Sequence, residues 1–245
     1  MNHEVLDKFR AYPEYEKYSQ LINELDPNAP PQVVIVHRTP DPICGSGKKL
    51  GIFSGSFNPL TVAHIKMVEE ARERFQLDEL LLLLAKANVD KDLFGWPLAG
   101  RILSLKRYAE DQNNISIGIS SHGRYIDKVE ALKTIYPVDT EFHFIVGYDT
   151  LVRIFDPKYY TDIQTELQHL FLECRFIVAN RDQVDIETIK EFLSQPAHQQ
   201  YRSSVTPLRL PDFYAEVSST EVRQRIAQGD TISHLVPPVI AEFFE

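Results

Sequence analysis

The sequence predicts an α/β protein built on a doubly wound, mostly parallel sheet with helices on both faces, together with a helical appendage at the N-terminus. Three observations predict it. Short aliphatic runs alternate with amphipathic helical stretches from residue 49 onward. The run 80–84 is unbroken leucine, as in a strand buried on both faces. The residues before 49 follow a different pattern, with aromatic and aliphatic side chains at helical spacing and then a Pro-rich stretch.

Leu6, Phe9, Tyr12, Tyr15, Tyr18, Leu21, Ile22 and Leu25 form the helical pattern, and Pro13 breaks or restarts it. Residues 26–32 (DPNAPPQ) read as a linker, 33–36 as a β-branched run, and the stretch up to Lys49 as a Pro/Gly-rich connection. Within that connection, Gly45-Ser46-Gly47-Lys48-Lys49 fails as a phosphate loop. Pro42 stands where the first glycine belongs and Lys49 where Ser or Thr would bind the metal. The alternation then runs: strand 50–53; helix 61–75, with Val62, Ile65, Val68, Ala71 and Phe75 on its apolar face; strand 80–84; helix 100–110; strand 115–119; helix 126–135; and strands 142–146 and 176–179. Such a Rossmann-like sheet places its site at the carboxyl ends of the strands. The division expected is 1–48 as extension and linker, and 49–245 as the main domain.

Composition limits the function. In 245 residues, 26 basic side chains face 35 acidic ones for a net charge of −9, which argues against a general binder of nucleic acid or anionic membranes. The two cysteines, Cys44 and Cys174, form no CxxC pair, so neither a disulfide framework nor a zinc site is indicated and a reducing cytoplasm is the expected setting, or a nucleus in a eukaryote. No run approaches the roughly 20 apolar residues of a membrane span, and the charged N-terminus lacks a signal core. A homo-oligomer is compatible with the sequence.

Three segments carry chemistry. GIFSGSFNPLTVAHIKM (51–67) is a strand, a Gly/Ser/Asn/Pro turn and a helix with His64 in its first turn. Backbone N–H groups of the turn and the positive end of the helix dipole suit the phosphates of a nucleoside triphosphate, within reach of His64. VSSTEVRQRI (217–226) is a second helix start, where Ser218, Ser219 and Thr220 offer donors and Arg223 a fixed charge, although S-x-x-E is also a common helix cap. FIVGYDTL (144–151) is a strand ending in Gly147 and Asp149, a close-approach glycine and a carboxylate suited to ribose hydroxyls.

The first segment resembles the nucleotidyltransferase superfamily signature GxFxPxxxGH or (H/T)xGH, here Thr61-Val62-Ala63-His64 with alanine in place of glycine. The second resembles the ISSTxIR motif of the nicotinamide/nicotinate mononucleotide adenylyltransferases, and Ser233-His234-Leu235-Val236-Pro237-Pro238-Val239 is similar to that family's SIRYLVPDxV ending. Gly147-Tyr148-Asp149 looks like its GxD motif, and Lys91 with Arg101 like its phosphate-holding cations. The resemblance implies transfer of AMP from ATP, with Mg2+, to a pyridine mononucleotide and release of pyrophosphate. It implies His64, Lys91 and Arg223 as catalytic residues. Ser56, Phe57, His64, Gly147, Asp149, Ser219, Thr220 and Arg223 would hold ATP. Asn58, Trp96, Arg101, Tyr125 and Lys128 would hold the mononucleotide, with Tyr125 and Trp96 as ring contacts and Lys128 favouring a carboxylate substituent. The alternatives are a pantetheine-phosphate adenylyltransferase or a cytidylyltransferase of the same fold, whose turns carry Asp where this chain has Asn58, and a non-catalytic nucleotide-binding protein.

Overall fold

The computed structural model describes residues 3–87, 95–180 and 184–244. Two N-terminal helices, α1 (His3–Arg10) and α2 (Glu14–Glu24), precede strand β1 (Val33–His37). Then come β2 (Lys49–Ser54), α3 (Val62–Phe75), β3 (Glu79–Ala85), α4 (Leu98–Ala109), β4 (Ile115–Ser120), α5 (Tyr125–Leu132) and β5 (Glu141–Gly147). The chain closes with α6 (Tyr148–Ile154), α7 (Ile163–Glu173), β6 (Cys174–Ala179), α8 (Ile186–Ser194), β7 (Val205–Leu208), α9 (Asp212–Glu216), α10 (Ser219–Gln228) and α11 (Pro238–Ala241).

The strands form one sheet in the order β1-β4-β3-β2-β5-β6-β7, parallel throughout except for β1, which runs antiparallel to β4 at the edge. After β2 the chain winds outward through β3 and β4, then returns to β5 on the other side of β2 and continues outward. The crevice of a doubly wound sheet therefore opens at the carboxyl ends of β2 and β5. The leucines of β3 show why both faces are covered. Leu80, Leu82 and Leu84 enter a core with Phe9, Ala71 and Ile102, while Leu81 and Leu83 enter a second core with Val129, Phe144 and Leu151.

The predicted strands and helices from 49 onward are present, with ends moved by a residue or a few. Helix α5 stops at Leu132, short of the expected 135, where the Thr134 and Ile135 amides turn back to Ala131 and Leu132. Helices α6, α7, α8, α9 and α11 and strand β7 lie outside the elements expected from the sequence. Two of their starts are nevertheless marked in the chain: Asp162 caps α7 and Asp185 caps α8, each side chain accepting from first-turn amides.

Pro13 does restart the N-terminal helix, standing at the N-cap of α2. The division at residue 48 falls between β1 and β2 of a single sheet, and α1 and α2 share the core cluster of α3 and α4. Phe9 is fully buried there, a gain of about 1.5–3 kcal/mol for such a ring. At the end of the sheet away from the crevice, the buried carboxylate of Glu79 accepts from the Ile43 amide (2.9 Å), Ser116 Oγ (2.6 Å) and Tyr136 Oη (2.8 Å), with Arg38 Nε at 3.8 Å. This network fixes residues 38–43 to the sheet.

Candidate active site

The site begins where β2 ends. Gly55 donates its amide to Leu83 O, and the chain turns through Phe57, whose φ of 41° is left-handed, and the cis Asn58-Pro59 bond to Thr61. Thr61 caps α3: its Oγ1 accepts from the His64 amide at 3.4 Å. In return His64 Nδ1 accepts from the Thr61 amide at 2.9 Å, with Thr61 Oγ1 also at 2.9 Å. A backbone N–H on Nδ1 requires a lone pair there, so the neutral ring carries its proton on Nε2. The rings of Phe53 and Phe57 lie 5.5 and 5.6 Å from the imidazole and hold its plane.

The second helix start folds onto the same turn. Ser218 Oγ accepts from the Glu221 amide, so the capping role is real. Beyond it, Ser219 Oγ donates to Pro59 O (2.9 Å) and Arg223 Nη1 to Asn58 O (2.7 Å), while Arg223 Nη2 donates to Thr220 Oγ1 (3.0 Å). Two motifs at opposite ends of the domain thus become one surface. Arg101 reaches the turn from behind: it is fully buried, with Nε donating to Trp96 O at 2.7 Å and Nη1 to Ser56 O at 3.5 Å. Burial pushes its guanidinium down to about 10, with Arg223 adding to the effect.

A cavity of about 620 Å³ opens beside this turn, and Ser56, His64, Gly147, Asp149, Thr220, Tyr125 and Lys128 all line it. Gly147 is the N-cap of α6 and Asp149 lies in its first turn, so the GYD segment does deliver a carboxylate at the strand end. Tyr125 and Lys128 lie one turn apart on α5. The tyrosine ring packs edge-on against Phe144 (4.9 Å) and Phe176 (5.5 Å), and Lys128 Nζ stands 4.8 Å from its centroid. Lys128 is 3% exposed and donates to Gly123 O at 2.6 Å, and burial pushes its ammonium down to about 8.

The remaining expected residues are placed differently. Phe57, Asn58, Arg101, Ser219 and Arg223 brace the turn and are not among the lining residues. Trp96, expected against a pyridine ring, packs instead between Phe9 (4.9 Å), Phe243 (6.2 Å) and Phe244 (4.6 Å, stacked). Lys91 lies outside the described residues. Among the lining residues that the sequence motifs did not single out are Arg124, Arg153, Tyr160 and Glu166. Arg153 carried a signal, since it follows Asp149 by one helical turn and bonds back to Asp149 O and Thr150 Oγ1. Arg124 pairs with Glu166 across the gap between α5 and α7, a contact no local pattern announces.

The cytidylyltransferase-like family model matches residues 52–225, which take in both helix starts. A probable nicotinate-nucleotide adenylyltransferase of Trichlorobacter lovleyi is 31% identical over 209 residues, 80% of this chain and 95% of the relative. The one from Desulfotalea psychrophila is 28% identical over 207 residues, 80% of this chain and 96% of the relative. The structure of Plasmodium falciparum nicotinic acid mononucleotide adenylyltransferase complexed with NaAD superposes with a TM-score of 0.57 at 19% identity, over 80% of this chain and 94% of that one, and shares the fold. With the match spanning the turn at His64 and most of α10, the chain belongs to the cytidylyltransferase-like nucleotidyltransferases, in the nicotinamide/nicotinate mononucleotide adenylyltransferase family.

Proposed function

We propose that the protein is an adenylyltransferase of NAD biosynthesis that joins a pyridine mononucleotide to the AMP part of ATP, with the nicotinate form preferred. The observation that carries this reading is the cavity's two-ended chemistry. Its phosphate end is built from Ser56, His64 Nε2 and the N-terminus of α10 at Ser218 and Thr220, and its ring end from Tyr125 and Lys128. Gly147 and Asp149 line the same cavity, and a close-approach glycine with a carboxylate suits a ribose.

The reaction needs alignment and charge stabilisation rather than a covalent enzyme intermediate. A phosphate oxygen of the mononucleotide attacks the α-phosphorus in line, the bond from that phosphorus to the bridging oxygen breaks, and pyrophosphate leaves with the electron pair. His64 Nε2–H donates to the phosphate oxygens on which charge builds, and the Thr61 amide keeps the ring in the tautomer that can do so. The α10 N-terminus faces the leaving phosphates. Arg223 contributes by holding that terminus to the turn. Lys91 belongs to the same proposal by resemblance. Among the described residues no group of three or more His, Cys, Asp or Glu could hold a metal ion. Magnesium would enter with the substrate, carried by the ATP phosphates, and would neutralise the pyrophosphate.

The nicotinate preference rests on Lys128. A buried ammonium beside an aromatic face suits a ring bearing a carboxylate, whereas a carboxamide leaves that charge without an anionic partner. The relatives named above are nicotinate-nucleotide enzymes, which supports the same choice. Both substrates are soluble metabolites, so a cytoplasmic setting fits, and no described helix is long and apolar enough to cross a membrane.

The test is incubation of the purified protein with ATP and magnesium and, in parallel, nicotinate mononucleotide, nicotinamide mononucleotide or pantetheine phosphate, with chromatographic quantification of adenylylated product and pyrophosphate. Dinucleotide with a higher kcat/KM for the nicotinate form is expected. Product from pantetheine phosphate alone would move the protein to another branch, and no product from any acceptor would end the assignment.

A further inference from the structure

Both ends of the chain meet on Trp96, the chain's single tryptophan. Phe9 of α1 packs against it edge-on at 4.9 Å, Phe244 stacks on it at 4.6 Å, and Phe243 closes the group 4.9 Å from Phe9. Phe9 and the C-terminal phenylalanines lie outside the 52–225 region shared with the family, while Trp96 lies within it. Trp96 is in turn bonded to the phosphate-binding turn through its backbone. Its amide donates to Asn58 Oδ1 at 3.1 Å, and its carbonyl accepts from Arg101 Nε, whose Nη1 reaches Ser56 O. Only two bonded steps separate the Phe9 contact from a residue that lines the cavity.

Two glycines show how closely this stack is fitted. A Cβ at Gly100 would stand 2.7 Å from the Phe9 ring, so α4 is bare where the phenyl lies on it. A Cβ at Gly95, whose φ is +97°, would stand 2.3 Å from Asn58 Nδ2. The second N-terminal helix holds the other side of the same region. Lys86, directly after β3, donates to Leu25 O at 2.5 Å and Asn23 O at 3.4 Å at the carboxyl end of α2. Lys106 on α4 pairs with Glu14 at 3.3 Å. The segment therefore grips the end of β3 and the start of α4, the two described flanks of the β3 to α4 connection.

We propose that residues 3–25 serve as a positioning brace for nucleotide binding, with Phe9 holding Trp96 so that Asn58 and Arg101 keep the turn at Ser56 in its ATP-binding shape. Phe9 is not among the residues that line the cavity, so it acts as a positioning residue through Trp96. The proposal rests on the reading of the cavity's turn end as the ATP phosphate site, and it holds whichever acceptor the enzyme uses.

The test uses the full chain with three substitutions, Phe9→Ala, Phe9→Leu and Gly100→Ala, and one control in the opposite core, Leu193→Ala, at a residue equally buried but remote from the turn. Melting temperature, equilibrium binding of a non-hydrolysable ATP analogue with magnesium, and tryptophan emission are read for each. Phe9→Ala and Gly100→Ala are expected to weaken analogue binding about tenfold and to shift Trp96 emission to the red, and Phe9→Leu to recover most of both. Leu193→Ala is expected to lower the melting temperature while leaving affinity and emission within twofold of wild type. If Phe9→Ala does not fold, Phe9→Leu and Gly100→Ala decide. Unchanged affinity in the α1 and α4 variants, or equal weakening in Leu193→Ala, overturns the brace. A wild-type protein that binds the analogue yet forms no dinucleotide would instead overturn the acceptor assignment and leave the brace standing on its own measurements.

Discussion

Thr61 and His64 hold each other in place at the start of α3, the threonine amide donating to Nδ1 while the threonine hydroxyl oxygen accepts from the histidine amide. A helix cap and a ligand-facing imidazole are thus one piece of structure. Glu or Gln usually supplies the return bond in such a box. With histidine there, closing the box also fixes the tautomer. The alanine that stands in the signature's glycine position is Ala63, which is buried, and the reciprocal bonds on either side of it form regardless.

Replacing His64 with alanine is expected to lower kcat by about two to three powers of ten, the scale of losing one donor to a developing charge. The KM for ATP should change far less. The cap loses only its return bond, so stability should fall by about 1 kcal/mol. Steady-state kinetics and thermal melting of the same preparation check both. A variant with near-normal turnover would remove His64 from the mechanism.

Lys128 gives a pH dependence whose sign can be worked out. Its folded value is near 8, against the usual value of 10.5 for lysine. The unfolded chain therefore binds more protons between those values, and the apo protein should gain stability as pH rises from about 8 towards 10.5. Below pH 8 the buried charge costs about 3 kcal/mol, so Lys128→Met should stabilise the apo protein at pH 7 by that order. Nicotinate binding should move the other way. As the ammonium is lost above pH 8, the KM for nicotinate mononucleotide should rise severalfold while that for the nicotinamide form stays flat, and the methionine variant should show no such divergence. Denaturant melts and KM values at pH 7 and 9 test the pair of statements together.

What the sequence revealed follows from how local each signal was. Tyr125 and Lys128 could be read together because a single helical turn joins them on the cavity wall, and His64 could be placed beside the turn because its cap lies three residues upstream. Trp96 was misleading for the opposite reason. Its partners come from residues 9, 243 and 244, and an indole near cationic side chains reads equally well as a ring platform until those partners are known. The same holds for Arg101 and Arg223. Their charge was visible, but whether a guanidinium faces a phosphate or a backbone carbonyl depends on how the turn at 55–60 is shaped. Strand β1 was recognised as a β-branched run, yet its place beside β4 follows from a long antiparallel return that no local pattern encodes.

Glu79 separates stability from activity. It lies at the end of β3 away from the cavity, fully buried with three donors on its carboxylate. Glu79→Ala leaves the Ile43 amide and two hydroxyls without their acceptor and should cost about 3 kcal/mol. Well below the lowered melting temperature, kcat/KM should remain within twofold of wild type. A large loss of activity in a still-folded variant would mean that the two ends of the sheet are coupled.

Arg223 distinguishes charge from geometry. Its two Nη atoms go to different acceptors, Asn58 O on the turn and Thr220 Oγ1 on α10, a division of labour that suits a planar fork. If its contribution were charge alone, Arg223→Lys would restore most of what Arg223→Ala loses. Since the structure uses it to join two elements, lysine can satisfy one acceptor and must release the other. Arg223→Ala is expected to raise the KM for ATP about tenfold or more, and Arg223→Lys to stay within about threefold of that alanine value rather than near wild type. The readout is the KM for ATP of the two variants at two ionic strengths. Recovery by lysine that fades with added salt would identify a screened charge effect, whereas failure of lysine at both salt concentrations is the outcome expected of a tie between Asn58 and Thr220.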